Sequence, residues 1–367
     1  MACTVSDQAG MNNFSLDWSR MLTKQLDSIQ VLRAIAALWV VMFHTVGNAT
    51  TYGWTSQFMP SLARHGEMGV DIFFVISGFV IALISYGKPV GLDAARRFVI
   101  ARAARVIPLY WVLTSLFTAL LIFAPSAFGH ARFNLWHVIS SFLFIPSLNW
   151  AGIVVPVINV GWTLNYEIWF YVLFTLAIAT FQKPIRSVMI ALVALALVHP
   201  LREGGIIWNF YTNSIVLEFA GGVILGTVYA KYKNIAPSII FPLIPTVGLV
   251  IWQYDLSFTG ENRFIALGLP AFLAVACALY FENRIRWNKF LCSLGDASYS
   301  LYLTHALTIP VCMKLIQTAD QKHGLRGDIV CLMVIILSVA IAFACRRYLE
   351  RPMTRIARRW LDQRASV

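Results

Sequence analysis

Apolar runs long enough to cross a lipid bilayer recur along nearly the whole chain, near 28–48, 68–86, 104–124, 162–181, 186–199, 211–230, 237–253, 263–281, 298–317 and 327–345. A hydrocarbon core of about 30 Å takes roughly 20 apolar residues per helix, so these runs predict about ten transmembrane helices joined by short loops. With 59% hydrophobic and only 13% charged residues in a chain of 367, no large soluble domain fits beside them. The expected fold is all-α, a polytopic helical bundle forming one membrane domain at 28–345. A polar N-terminal tail, 1–27, and a basic C-terminal tail, 346–367, flank it. The first of these carries Asp7, Asp17 and Asp27, unlike a cleavable signal peptide.

The stretch 135–149 is ambiguous, because it is short and holds His137, Ser140, Ser141 and Pro146. It is either an eleventh span or a re-entrant segment, and charge decides between them, since Lys and Arg favour the cytoplasmic ends of helices. With the N-terminus inside and 135–149 left out, 21 of the 29 Lys and Arg residues fall on the cytoplasmic side. Arg64, Arg132, Arg202, Arg263, Lys322 and Arg326 fall opposite. Making 135–149 a span would move either the 88–105 or the 284–289 basic cluster outside. Ten spans with both termini cytoplasmic are therefore expected. The net charge of +12 lies in small clusters and on no continuous face, which points to membrane lipids and away from nucleic acid. Six cysteines without a CxxC pair indicate neither a disulfide framework nor a metal site.

Ionisable residues inside spans are costly and mark function or a specific partner. Ten residues separate Arg33 from His44 in the first span. Eleven helical steps come within about 20° of three full turns and rise about 16.5 Å, so the two side chains share a face at different depths. Either alone has a plain alternative, a snorkelling arginine or a structurally hydrogen-bonded histidine. Together they suggest a functional face, and an imidazole of pKa about 6.5 can take and return a proton near neutral pH. Asp71, at the start of the second span, is placed to orient His44, or else to cap its own helix. Arg102 and Arg105, three apart, project from one side of a helix and can clamp phosphates or bind anionic lipid heads. Glu167 sits among aromatics in Gly161-Trp162-Thr163-Leu164-Asn165-Tyr166-Glu167. Trp162, Asn165 and Tyr166 combine rings with polar groups in the manner of sugar sites, although aromatic belts at interfaces are ordinary. His305 either lines a path between helices or bonds to a neighbouring one.

These pieces together resemble the integral-membrane acyltransferase family three, whose members O-acylate exopolysaccharides, O-antigens and peptidoglycan. The matching residues are Arg33 with His44, GVDIFFVISGF at 69–79, Arg102-x-x-Arg105 before Ile107-Pro108, WTLNYE at 162–167 and SYSLYLTH at 298–305. They cover the chain from the first span to the ninth, and the GWTLNYE form is most similar to the exopolysaccharide O-acetyltransferase branch. The resemblance implies a bacterial inner-membrane enzyme with cytoplasmic acetyl-CoA as donor and no metal. His44 would be the acid–base residue, assisted by Asp71 or Glu167. Arg33, Arg102 and Arg105, with His305 on the path, would hold the donor. The acceptor would be a surface polysaccharide or its lipid-linked precursor, its choice resting on the spans and the 125–161 loop. The rival expectations are a flippase for a lipid-linked glycan and an acyltransferase using a succinyl donor.

Overall fold

Every long apolar run among the described residues is helical in the computed structural model, which describes residues 26–124, 132–201, 204–232, 263–320 and 324–365. The expected span at 237–253 and the N-terminal tail up to residue 25 lie outside the described residues. In chain order the principal helices are α1 (Asp27–Thr51), α2 (Met68–Ser85), α3 (Leu92–Phe123), α4 (Leu135–Phe142), α5 (Trp162–Thr180) and α6 (Pro184–Val198). They continue with α7 (Val216–Tyr232), α8 (Leu269–Phe281), α9 (Lys289–Asp296), α10 (Ser298–Ala319), α11 (Gly327–Cys345) and α12 (Arg351–Ala365). Among the described residues there is no strand, only an isolated bridge between Leu148 and Val154.

Seven helical stretches among the described residues are long and apolar enough to cross a membrane, fewer than the ten expected. The expected spans at 162–181 and 298–317 are helices of 19 and 22 residues, α5 and α10, that fall outside this set. Their polar residues explain the difference. Thr163 and Asn165 on α5, and Ser298, Ser300, Thr304 and His305 on α10, are all buried. Both helices turn hydrogen-bonding side chains inward, so neither has the apolar composition of a lipid-facing span. The reverse holds for Pro184–Leu201, whose apolar window is only 11% buried. A helix left so apolar and so uncovered by protein is suited to lipid and not to water.

The stretch 135–149 does not form an eleventh span. Its helix α4 has eight residues, a rise of about 12 Å, far short of a bilayer core. It is fastened to α3 instead, with the Tyr110 hydroxyl donating to the Ser141 carbonyl at 3.2 Å and the Trp111 indole to that of Phe142 at 2.9 Å. The basic stretch after residue 345 also departs from the expected tail. A π-helical turn, Arg346–Glu350, leads into α12, which packs along α3.

Close packing of backbone positions the remaining helices. Where α2 crosses α7, a Cβ on Gly222 would lie 2.0 Å from the Val75 carbonyl oxygen and one on Gly78 2.2 Å from that of Phe219. Only glycine permits that approach, the usual device for joining helices in lipid. A second such point joins α9 to α1, where a Cβ on Gly295 would lie 1.8 Å from the Gln30 carbonyl oxygen.

Candidate functional site

Arg33 and His44 both meet α10. The Arg33 guanidinium donates from Nε and Nη2 to the Ser298 hydroxyl at 3.2 and 2.9 Å, and the ring of His44 lies 5.2 Å from that of His305, tilted by 33°. Ser298 and His305 are seven residues apart, two helical turns, and so share a face as their partners on α1 do. The His305 Nδ1 is 3.2 Å from the carbonyl of Leu301. Donation there leaves Nε2 as the acceptor of a neutral ring, and Nε2 is buried without a hydrogen-bond partner.

Below this histidine pair opens a cleft of about 950 Å³ to which Arg33, Arg102 and Arg105 contribute. Arg102 and Arg105 come from one face of α3. The Arg102 guanidinium carbon sits 5.9 Å over the Phe98 ring, and its buried Nε has no hydrogen-bond partner. Phe73 and Tyr302 line the cleft too, with ring centroids 6.1 Å apart. His44 and His305 are not on its wall. His305 stands directly behind Tyr302, ring to ring at 5.7 Å. The Tyr302 hydroxyl is tied across to the start of α5, donating to the Val160 carbonyl at 2.9 Å and accepting from Thr163 at 3.1 Å.

Neither expected carboxylate reaches the imidazole of His44. Asp71 is wholly buried and receives two hydrogen bonds from Arg263, Nε to Oδ1 at 3.0 Å and Nη2 to Oδ2 at 2.8 Å. It lies well below His44, because Gly69 packs against the Ala36 carbonyl, two turns down α1. Glu167 lines the arginine cleft, where it accepts hydrogen bonds from Tyr171 and, at 3.4 Å, from Ser77. Both acids are therefore committed elsewhere, and the expected orienting contact is corrected.

The expected sugar-binding set is likewise divided. Tyr166 is buried, stacked 4.1 Å from Phe210, and its hydroxyl donates to the Phe210 carbonyl at 2.7 Å. Its polar atom is thus occupied by packing. Trp162 is half-buried, edge-on to Phe74, with the Arg263 guanidinium carbon 5.7 Å over its ring. Asn165 is 2% exposed, with its side-chain oxygen unpartnered. Among the described residues no group of three or more His, Cys, Asp or Glu side chains could hold a metal.

Two features were not foreseen from sequence. Arg263, expected on the side opposite the cytoplasm, is the partner of Asp71, and Glu218 on α7 is buried beside them, next to Asp71. A carboxylate inside the apolar run at 211–230 is the same signal that singled out Glu167, and it would have marked Glu218. The second is the C-terminal helix, whose arginines also enter the cleft.

A family model described as an acyltransferase domain matches residues 26–345. Among similar proteins, the exopolysaccharide production protein ExoZ of Rhizobium meliloti (strain 1021) is 30% identical over 309 residues, 80% of this chain and 91% of that protein. A Staphylococcus aureus (strain MRSA252) protein provisionally named an O-acetyltransferase is 23% identical over 94% of this chain and 59% of its own length. A Bacillus subtilis (strain 168) protein, YrhL, provisionally named a peptidoglycan O-acetyltransferase, is 22% identical over 90% of this chain and 55% of its own length. The chain thus spans little more than half of the last two. No solved structure matches it.

Proposed function

Because the chain belongs to the integral-membrane acyltransferase family three and is an O-acyltransferase, we propose that it moves an acetyl group from cytoplasmic acetyl-CoA to a hydroxyl of a surface polysaccharide or its lipid-linked precursor. The observation that carries this is the continuity of one helix face. Arg33 opens into an arginine-rich cleft, and His44, three turns along α1, meets His305 behind the cleft's aromatic end.

The cleft suits such a donor, which carries phosphates at one end and a reactive thioester at the other. Guanidinium groups bind phosphate oxygens in pairs and keep that charge at the basic, cytoplasmic side. Only the slender thioester arm then has to pass Tyr302 and Phe73, so no phosphate is drawn into the apolar interior. At the far end His44 takes the proton from the attacking sugar hydroxyl as its oxygen bonds to the acyl carbon. It returns that proton to the sulfur as the carbon–sulfur bond breaks. Polysaccharide as acceptor is favoured by the similarity to a protein named for exopolysaccharide production.

The test is transfer of labelled acetyl from acetyl-CoA to deacetylated exopolysaccharide by the purified full-length protein. Alkali-labile labelled ester is expected, lost by a factor of about 10² or more in His44→Ala with folded protein retained. Unchanged ester formation in that variant would remove His44 from the chemistry. Glycan movement across vesicles with no ester formed would indicate a flippase.

A further inference from the structure

The arginines after residue 345 were expected to do no more than mark the cytoplasmic side of the membrane. The structure instead fixes this segment as one wall of the cleft. Arg346 donates to Asp296 at 2.6 Å, and Glu350 accepts from the Ser300 hydroxyl, so the turn leading into α12 is fastened to both α9 and α10. From there Arg351, Thr354, Arg355 and Arg358 all line the cleft. Their spacing of three, four and seven residues is that of one helical face.

The charge of the cleft is strongly unbalanced. Its lining includes seven arginines and three carboxylates, Glu167, Asp296 and Glu350. Each carboxylate is already engaged, with Tyr171, Arg346 and Ser300 respectively. Among the described residues no ion pair joins Arg351, Arg355 or Arg358 to an acid. Like charges gathered in a partly enclosed space repel, and an anion with several charges relieves them at once. A volume of about 950 Å³ lies near the top of the roughly 300–1,000 Å³ typical of small-molecule sites. A large polyanionic ligand matches both properties.

We propose that Arg351, Arg355 and Arg358 of α12 form a phosphate-binding subsite for the nucleotide end of the acyl donor, in the same cleft as Arg102 and Arg105 of the adjoining α3. The proposal rests on the acyl-coenzyme A reading above for the identity of the ligand. The C-terminal helix is thereby part of the donor site. An anionic lipid headgroup offers the same phosphate chemistry, and the experiment separates the two sources.

Equilibrium binding of coenzyme A and of pantetheine, which lacks every phosphate, is measured on the full-length protein in neutral detergent, independently of turnover. In the Arg355→Ala/Arg358→Ala protein, coenzyme A is expected to bind about tenfold more weakly or worse, through loss of charge-assisted contacts. Pantetheine binding is expected to be unchanged. Arg359→Ala removes the same charge from a position of α12 outside the cleft lining and is expected to leave coenzyme A binding within about twofold, as exposed charges act weakly at a distance. Unchanged coenzyme A affinity in the double variant would overturn the proposal. So would an equal loss for pantetheine, or a loss confined to stabilisation by added phosphatidylglycerol, which would make these lipid-binding arginines. Weakened coenzyme A binding in a protein that forms no ester would leave the subsite standing and remove the transferase chemistry.

Discussion

The imidazoles of His44 and His305 lie 5.2 Å apart behind Tyr302, although they come from helices more than 250 positions apart in the chain. The pair sets two imidazoles side by side behind the Tyr302 ring, off the cleft wall, and gives His44 a histidine neighbour instead of a carboxylate. His305→Phe retains a ring at this position without its nitrogens. The expected outcome is a kcat reduced by about tenfold or more with KM for acetyl-CoA little changed, since His305 stands away from the arginine end. A rise in KM with intact kcat would instead assign His305 to donor binding.

Removal of Arg263 leaves Asp71 and Glu218 buried without a cation. Breaking a buried pair by deleting one partner costs about 3–5 kcal/mol, so Arg263→Ala is expected to unfold at distinctly lower temperature in detergent. Adding Asp71→Asn should restore part of the loss, because the charge needing a partner is then gone. Additive effects of the two substitutions would show that the Asp71–Arg263 contact contributes little.

The crossing of α2 and α7 is expected to be intolerant of any side chain at its centre. Gly222→Ala brings a methyl to 2.0 Å from a backbone oxygen, and the helices must separate to admit it. Overpacking of this kind costs about 1–3 kcal/mol or more, read as a lower midpoint of thermal unfolding. Gly47→Ala serves as the contrast. Nothing lies within 4 Å of a Cβ at Gly47, and alanine is the better helix former by up to about 1 kcal/mol. It should therefore be neutral or stabilising.

Tyr302→Phe keeps the ring between cleft and histidines and removes the hydroxyl bonded to Val160 and Thr163. A net loss of about 1 kcal/mol in stability is expected, together with a less defined passage. Activity with acyl groups longer than acetyl, relative to acetyl itself, should rise. An unaltered preference in a destabilised protein would make the hydroxyl purely structural.

Local pattern revealed the helices and the shared face of Arg33 and His44, because both depend only on residues a few turns apart. It did not reveal partners. Asp71 and Arg263 are 192 residues apart, and nothing in the apolar run at 68–86 records which cation will meet it. Polar side chains made α5 and α10 less apolar than ordinary spans, and both helices line the cleft, yet so does the strongly apolar α2, so polarity alone would not have traced its wall. The C-terminal arginines followed the rule for membrane orientation, and that sufficient explanation concealed their position on a structured helix. The aromatics of α5 show the opposite error. Composition suggested a sugar platform, whereas the Tyr166 hydroxyl is held by the carbonyl of Phe210.

The contact of Gly295 with the backbone of Gln30 lies three residues from Ser298 on one strand of the chain and three from Arg33 on the other. It therefore fixes the backbone spacing at the base of the two helices that bear the histidines. A side chain at position 295 would push α9 off α1, and with it the start of α10, where Ser298 holds the Arg33 guanidinium. The absence of a side chain at position 295 thus sets the spacing of the helices that, further along, carry His44 and His305.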